Sequence, residues 1–231
     1  MSRLTGDNIE QFRAPSEGGD FKKIDYLSLK KDKEVAKVRL LYNGAEDIEA
    51  YVVHRVKVRF ENGNEYELPV NCLMERDGVL DDCPFCREKY AKQARIYVPV
   101  FDEQTGTFKF WDRPNSFYSQ LSGVCSRNLN TVSQVFEVER NGEAGSKRPS
   151  YQFYPIGQPD GTTIDDILDD CGYDEMPNPV GTKILNKNAD EMEYYIAHGE
   201  FPSNREDTPV RRRGSEDTPR EERRRGRGDR F

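Results

Sequence analysis

Between residues 35 and 156 the chain repeatedly alternates apolar and polar side chains, the period-two signature of strands with one buried face. Residues 35–42 set Lys37 and Arg39 on one face against Ala36, Val38 and Leu40 on the other. Residues 51–60 repeat the pattern without a single acid, with Arg55, Lys57 and Arg59 opposite Val52, Val56, Val58 and Phe60. Asn62 and Gly63 both tolerate positive φ and predict a hairpin turn into a strand over 66–72. A second hairpin joins 95–101 to 107–111 through a loop holding Thr105 and Gly106, and a third pairs 135–140 with 151–155. Helices are expected over 115–125, after Pro114, and over 163–170, an acidic stretch ended by Gly172. Many short strands with one or two helices predict a mainly β chain, a small barrel with additions.

Composition and charge change this picture at the two ends. A chain of 231 residues with 35% hydrophobic and 33% charged side chains is too polar to pack from end to end. Residues 203–231 carry ten Arg against seven acids and nearly duplicate themselves, EDTPVRRRG at 206–214 and EDTPREERRRG at 216–226. With almost no large apolar residue this tail is expected to be disordered, its arginine triplets suited to phosphates or to an acidic protein. Residues 1–20, with Gly18 and Gly19, are expected to form a mobile arm. The total charge of −7 argues at first sight against a polyanionic partner, but it is the sum of an acidic body with basic strand faces and a net positive tail. No apolar run approaches the roughly 18 residues of a membrane span, and the start lacks the apolar core of a secretory signal, so an intracellular protein without a membrane partner is expected.

The sharpest motif is Cys83-Pro84-Phe85-Cys86, with Cys72 and His54 upstream. Two cysteines at this spacing grip one side of a tetrahedral ion, and a distant Cys and His close the other, which points to one structural Zn²⁺. The rivals are a redox dithiol, an iron–sulfur site and inert thiols. The fourth ligand is His54 or Cys125, because His54 shares a strand face with Val52 and Val56 and can equally be a buried core histidine. Four protein ligands leave the ion no open position, so it would hold the fold without activating water.

Sequence-tolerant binding of single strands needs cations that track phosphates and aromatic faces for the bases. Lys37, Arg39, Arg55, Lys57 and Arg59 would form adjacent basic stripes if strands 35–42 and 51–60 pair. Tyr97, Phe101 and Trp111 are the stacking candidates, with core packing as the alternative, and Arg113 beside Trp111 is a phosphate candidate.

The order YVVHRVKVRF, ELPVNCL, DDCPFC, ARIYVPVFDEQTG and FWDRPNSFYSQL resembles the phage single-stranded DNA-binding proteins related to the helix-destabilising protein of T-even phages, over about residues 20–170. The resemblance implies an OB-fold core with a zinc subdomain whose ligands fall on His54, Cys72, Cys83 and Cys86. It further implies that the chain is no enzyme and coats unpaired DNA without sequence specificity during phage replication, recombination or repair, in the host cytoplasm. The expected organisation is an arm (1–20), an OB-fold core (21–175) with a zinc subdomain (about 54–90), an extension (176–202) and the tail (203–231). Two departures are plain. Where the family has a basic arm, residues 1–20 offer only Arg3 and Arg13, and where it has an acidic tail that recruits replication partners, this tail alternates in sign. Its final Phe231 is faintly like the ends of bacterial single-stranded DNA-binding proteins, and replication or recombination proteins are its expected partners. Two other functions compete: a Mg²⁺ nuclease built on Asp165, Asp166, Asp169 and Asp170, and a zinc-bearing adaptor that binds protein through the arginine tail.

Overall fold

The computed structural model describes residues 24–59, 64–74, 83–128, 130–146 and 149–202. The expected arm, Phe60, the Asn62-Gly63 turn and the tail lie outside these residues.

The fold is mainly β. Among the described residues eight strands, β1 (Asp25–Tyr26), β2 (Val35–Leu40), β3 (Tyr51–Arg59), β4 (Glu65–Asn71), β5 (Lys92–Asp102), β6 (Thr107–Pro114), β7 (Val135–Asn141) and β8 (Ser150–Ile156), form one mixed sheet. Its hydrogen-bonded path runs β1-β6-β5-β2-β7-β8; β3 joins β5 and β4 joins β3. Among the described residues five short helices accompany it: α1 (Pro84–Arg87), α2 (Tyr118–Arg127), α3 (Ile164–Cys171), the single turn α4 (Pro179–Thr182) and α5 (Ala189–His198).

Local chemistry accounts for the boundaries. The β5–β6 hairpin reverses where Gly106 takes a φ of +61° and its N–H donates to the Asp102 carbonyl at 2.8 Å. Helix α3 opens on a reciprocal capping box between Thr163 and Asp166 and closes at Gly172 with a φ of +69°. The 115–125 helix divides into a 3₁₀ turn, Asn115–Phe117, and then α2. Arg59 stands opposite Glu65, so β3 and β4 pair in the register that a reversal between them requires.

The long strand β5 is buried on both faces. Ile96, Val98 and Val100 enter one core with Val38, Leu40, Trp111, Phe136, Val138 and Leu121 of α2. Tyr97 and the half-buried Phe101 enter a second, with Phe108, Phe110, Ile167 and Leu168 of α3, and Ile184. A third core lies over the β3–β4 hairpin, where Val56, Val58 and Val70 meet Phe85, Met192, Tyr195 and Phe201. The segment after 176 therefore packs on two of the three cores. Leu185 bridges to Val70, Asn71 bonds the backbone of Lys187 through its side chain, and α5 starts on a second capping box, Asn188 with Glu191.

One expected pairing is not made. Strands β2 and β3 do not pair with each other; both lie along the same edge of β5, β3 opposite residues 92–95 and β2 opposite 100–102. The two basic stripes therefore run end to end instead of side by side.

Candidate functional site

Four chain segments deliver one ligand group. His54 comes from the middle of β3, wholly buried; Cys72 directly follows β4, where its N–H donates to the Val52 carbonyl at 3.1 Å. Cys83 stands at the start of α1 and Cys86 lies within it, a knuckle closed by N–H bonds from Arg87 to Cys83 and from Lys89 to Cys86. The ligand atoms of these four residues all lie within 4.8 Å of one another. His54 Nε2 is 3.5 Å from both Cys83 Sγ and Cys86 Sγ, and Cys72 Sγ is 3.5 Å from Cys86 Sγ. A tetrahedral ion with bonds near 2.3 Å to sulfur and 2.1 Å to nitrogen needs ligand separations of about 3.6 to 3.8 Å, so the group can hold a metal ion with little rearrangement. Cys125 lies within α2, buried in the first core, and is not the fourth ligand; Cys171 belongs to the second.

The protonation chemistry fits the same use. Burial lowers the His54 pKa, against an opposing pull from the backbone of Tyr90 and Ala91, so the imidazole is neutral and its Nε2 can bind an ion. Its buried Nδ1 has no hydrogen-bond partner of regular geometry. Burial also raises the Cys72 thiol and, with the hydrogen bond to Cys72, pushes Cys86 to about 12. A divalent cation among them would reverse that tendency and stabilise thiolates. Phe85, wholly buried between the two knuckle cysteines, packs its ring at 5.5 Å from His54, 4.8 Å from Tyr90 and 5.7 Å from Tyr195. The ligand group is thereby tied to α5.

The basic candidates separate into two groups. Arg39 is 8% exposed and fully engaged: its guanidinium pairs with Glu103 and with both oxygens of Asp160 and donates to the Val132 carbonyl. It is a structural tie, not a free phosphate ligand. Lys37 is exposed, with Glu137 opposite it in β7. Arg55, Lys57 and Arg59 share one face of the β3–β4 hairpin with Glu67 opposite Lys57 and with Glu65 bonded to Arg59 at 2.6 Å.

The aromatic expectations need more correction. Trp111 is wholly buried, its ring 5.2 Å from Phe117 and 4.8 Å from Tyr151, and cannot stack on a base. Arg113 lies over the Trp111 and Tyr151 rings at 4.7 and 4.8 Å and donates to the Tyr151 hydroxyl, so it serves that core. Tyr97 is 3% exposed, too little to present a ring face to a base, and Phe101 is half-buried against the second core. Both faces of the β5–β6 hairpin are covered by cores.

Sequence reasoning missed Arg95 and Asp112. Arg95 pairs with Asp112 at 2.8 Å, and Arg55 reaches the same carboxylate at 3.6 Å. Two guanidinium groups thus converge on one acid, each with about a fifth of its side chain exposed. Beside them are Tyr26, 43% exposed with Lys183 Nζ 4.2 Å above its ring, and Tyr51, whose ring meets Tyr97 at 6.0 Å. Strand parity held the signal: Arg95 is two residues from Tyr97 on the same face, and Asp112 stands opposite Tyr97 in β6.

Protein-family models, curated proteins and solved structures offer no match to this chain.

The carboxylates of α3 do not form a second ligand group. Asp166 is spent on the cap, and among the described residues only His54, Cys72, Cys83 and Cys86 bring three or more potential ligand atoms together. No helix among the described residues is long and apolar enough to cross a membrane.

Proposed function

We propose that the chain binds single-stranded DNA without sequence specificity, along the sheet face that carries Arg55, Lys57, Arg59 and Arg95, and coats unpaired DNA during phage replication, recombination or repair. The observation that carries the reading is the Arg55–Asp112–Arg95 cluster. Two guanidinium groups sharing one carboxylate retain a positive charge that a phosphate can take up, and Tyr26 and Tyr51 beside them supply ring surface for unpaired bases. The acids of the hairpin limit the field to this neighbourhood, which suits a flexible strand better than a rigid duplex.

The ion in this reading is zinc, because three thiols and a neutral imidazole are a borderline-soft tetrahedral set. It fixes the hairpin that carries three of the four cations and takes no part in chemistry. The resemblance of the motif order to that of the T-even helix-destabilising proteins is in keeping with both statements, and an OB-like core is the corresponding reading of the fold. The tail, with its arginine triplets, is the natural contact for replication or recombination proteins.

Anisotropy of a dye-labelled oligo-dT and of its duplex, at two salt concentrations and with Mg²⁺ present, tests the reading. Binding of the single strand that weakens with salt and leaves it intact is expected. No binding would favour the adaptor and shortening of the oligonucleotide the nuclease; either overturns the proposal.

A further inference from the structure

The Arg55–Asp112–Arg95 cluster contains its own anion. Asp112 Oδ1 accepts from Arg95 Nε at 2.8 Å and pairs with Arg95 Nη2 at 2.8 Å, while Arg55 Nη2 stands 3.6 Å from Oδ2, beyond hydrogen-bond length. A guanidinium fork grips a carboxylate and a phosphate by the same geometry, so the carboxylate sits where a strand phosphate would bind. Directly across the β5–β6 ladder from Asp112 is Tyr97. Its hydroxyl is buried and has no hydrogen-bond partner, an arrangement that costs stability and that folding alone does not explain. Burial, and after it the Asp112 carboxylate, hold this phenol well above its usual pKa, so it keeps its proton and remains a donor.

We infer that Asp112 is a built-in competitor for the phosphate of the strand, and that Tyr97 is the donor that receives its carboxylate when phosphate takes its place on Arg95 and Arg55. The inference rests on the single-strand reading above and deepens it, naming what sets the affinity of that site. Three physical points lead to it. The cluster is net positive, yet the donors of the Arg95 fork are already spent on Asp112, so a phosphate gains the whole fork only when the carboxylate leaves it. A displaced carboxylate whose side chain is only 24% exposed needs a new donor, and residues directly opposite in an antiparallel ladder lie within reach of each other's side chains. Exchanging one anion for another also leaves both cations paired with or without DNA, so the fold does not depend on the ligand.

The experiment uses the full chain and the anisotropy of a dye-labelled oligo-dT at several salt concentrations, with a thermal melt of each variant. Asp112→Ala is expected to bind about tenfold tighter at low salt, with a slope of log affinity against log salt steeper by about 0.7. Asp112→Asn, which keeps the side-chain shape and still accepts from Arg95, should gain a smaller factor of about three and guards against a folding defect in the alanine variant. Tyr97→Phe is expected to bind about fivefold more weakly while melting no lower than wild type, and to lose that effect in the Asp112→Ala background. Unchanged or weaker binding by both Asp112 variants would overturn the assignment while leaving single-strand binding intact. So would a Tyr97→Phe effect that is absent from the wild-type background, or equally large without Asp112. Failure of the wild-type protein to bind oligo-dT would overturn the reading beneath it.

Discussion

With zinc held by His54, Cys72, Cys83 and Cys86 as proposed, its loss should unfold one part of this molecule and spare the rest. The four ligands and the third core occupy the β3–β4 hairpin, α1 and α5, whereas the first core contains none of the ligands. A structural zinc contributes on the order of 10 kcal/mol or more in small peptides, as much as the whole stability of an ordinary domain. Removing it leaves His54, at 0% exposure, and Cys83, at 2%, without a counter-charge or hydrogen-bond partner of equal strength. Phe85, whose truncation to Ala would by itself remove about 3–5 kcal/mol, is anchored between those two ligands and α5. The Cys83→Ser variant, or wild-type protein treated with a strong chelator, should therefore lose amide protection over residues 83–90 and 189–198 and in β3 and β4. Protection of Ile96, Val98 and Val138 should persist. Hydrogen exchange read by mass spectrometry, alongside elemental analysis showing one zinc per native chain, checks both halves. Unchanged exchange after complete removal of the metal would refute the reasoning, as would global collapse that left no protected core.

Three further outcomes follow from the same contacts. Asp160 is held well below the usual carboxylate range by its bonds to Arg39, so it supports the fold above its unfolded pKa of about 4 and loses that contribution as acid protonates it; Asp160→Asn should be less stable than wild type near neutrality, the gap closing as the pH falls below about 4, as urea titrations across pH would register. The Tyr97 hydroxyl is buried and lacks a hydrogen-bond partner, so Tyr97→Phe should leave the melting temperature unchanged or higher, a shift within about 1 kcal/mol. Trp111, at 0% exposure, should emit at short wavelength, resist quenching by iodide, and stay unquenched when oligo-dT binds, so its emission reports folding and not occupancy.

Most strands were legible because alternation marks any strand with one apolar face, and the capping residues Thr163 and Gly172 framed α3 for a local reason that needs no tertiary context. The candidate ligand group was legible because Cys83 and Cys86 sit on one tight turn, a spacing that suits one side of a tetrahedral ion. What the sequence concealed was the second face of the sheet. Trp111 and Tyr97 fall on opposite sides of a hairpin, and parity alone does not say that both sides are covered. The pairing of β2 and β3 failed because β5 is eleven residues long and accommodates both strands along one edge, a matter of strand length and not of pattern. Arg39 read as a surface cation until the distant Asp160, 121 residues away, closed on it. The α5 helix is not marked by the sequence pattern because its buried apolar positions, Met192 and Tyr195, are few.

The central claim is that a single strand of DNA is held at the Arg55–Asp112–Arg95 cluster. Titration of labelled oligo-dT at several salt concentrations, with wild-type protein and with Arg55→Ala combined with Arg95→Ala, addresses it directly. Each lost phosphate contact should reduce the slope of log affinity against log salt by about 0.7, so the double variant should bind more weakly and with a slope shallower by about 0.7 to 1.4. An unaltered slope and affinity in a correctly folded double variant would contradict the account.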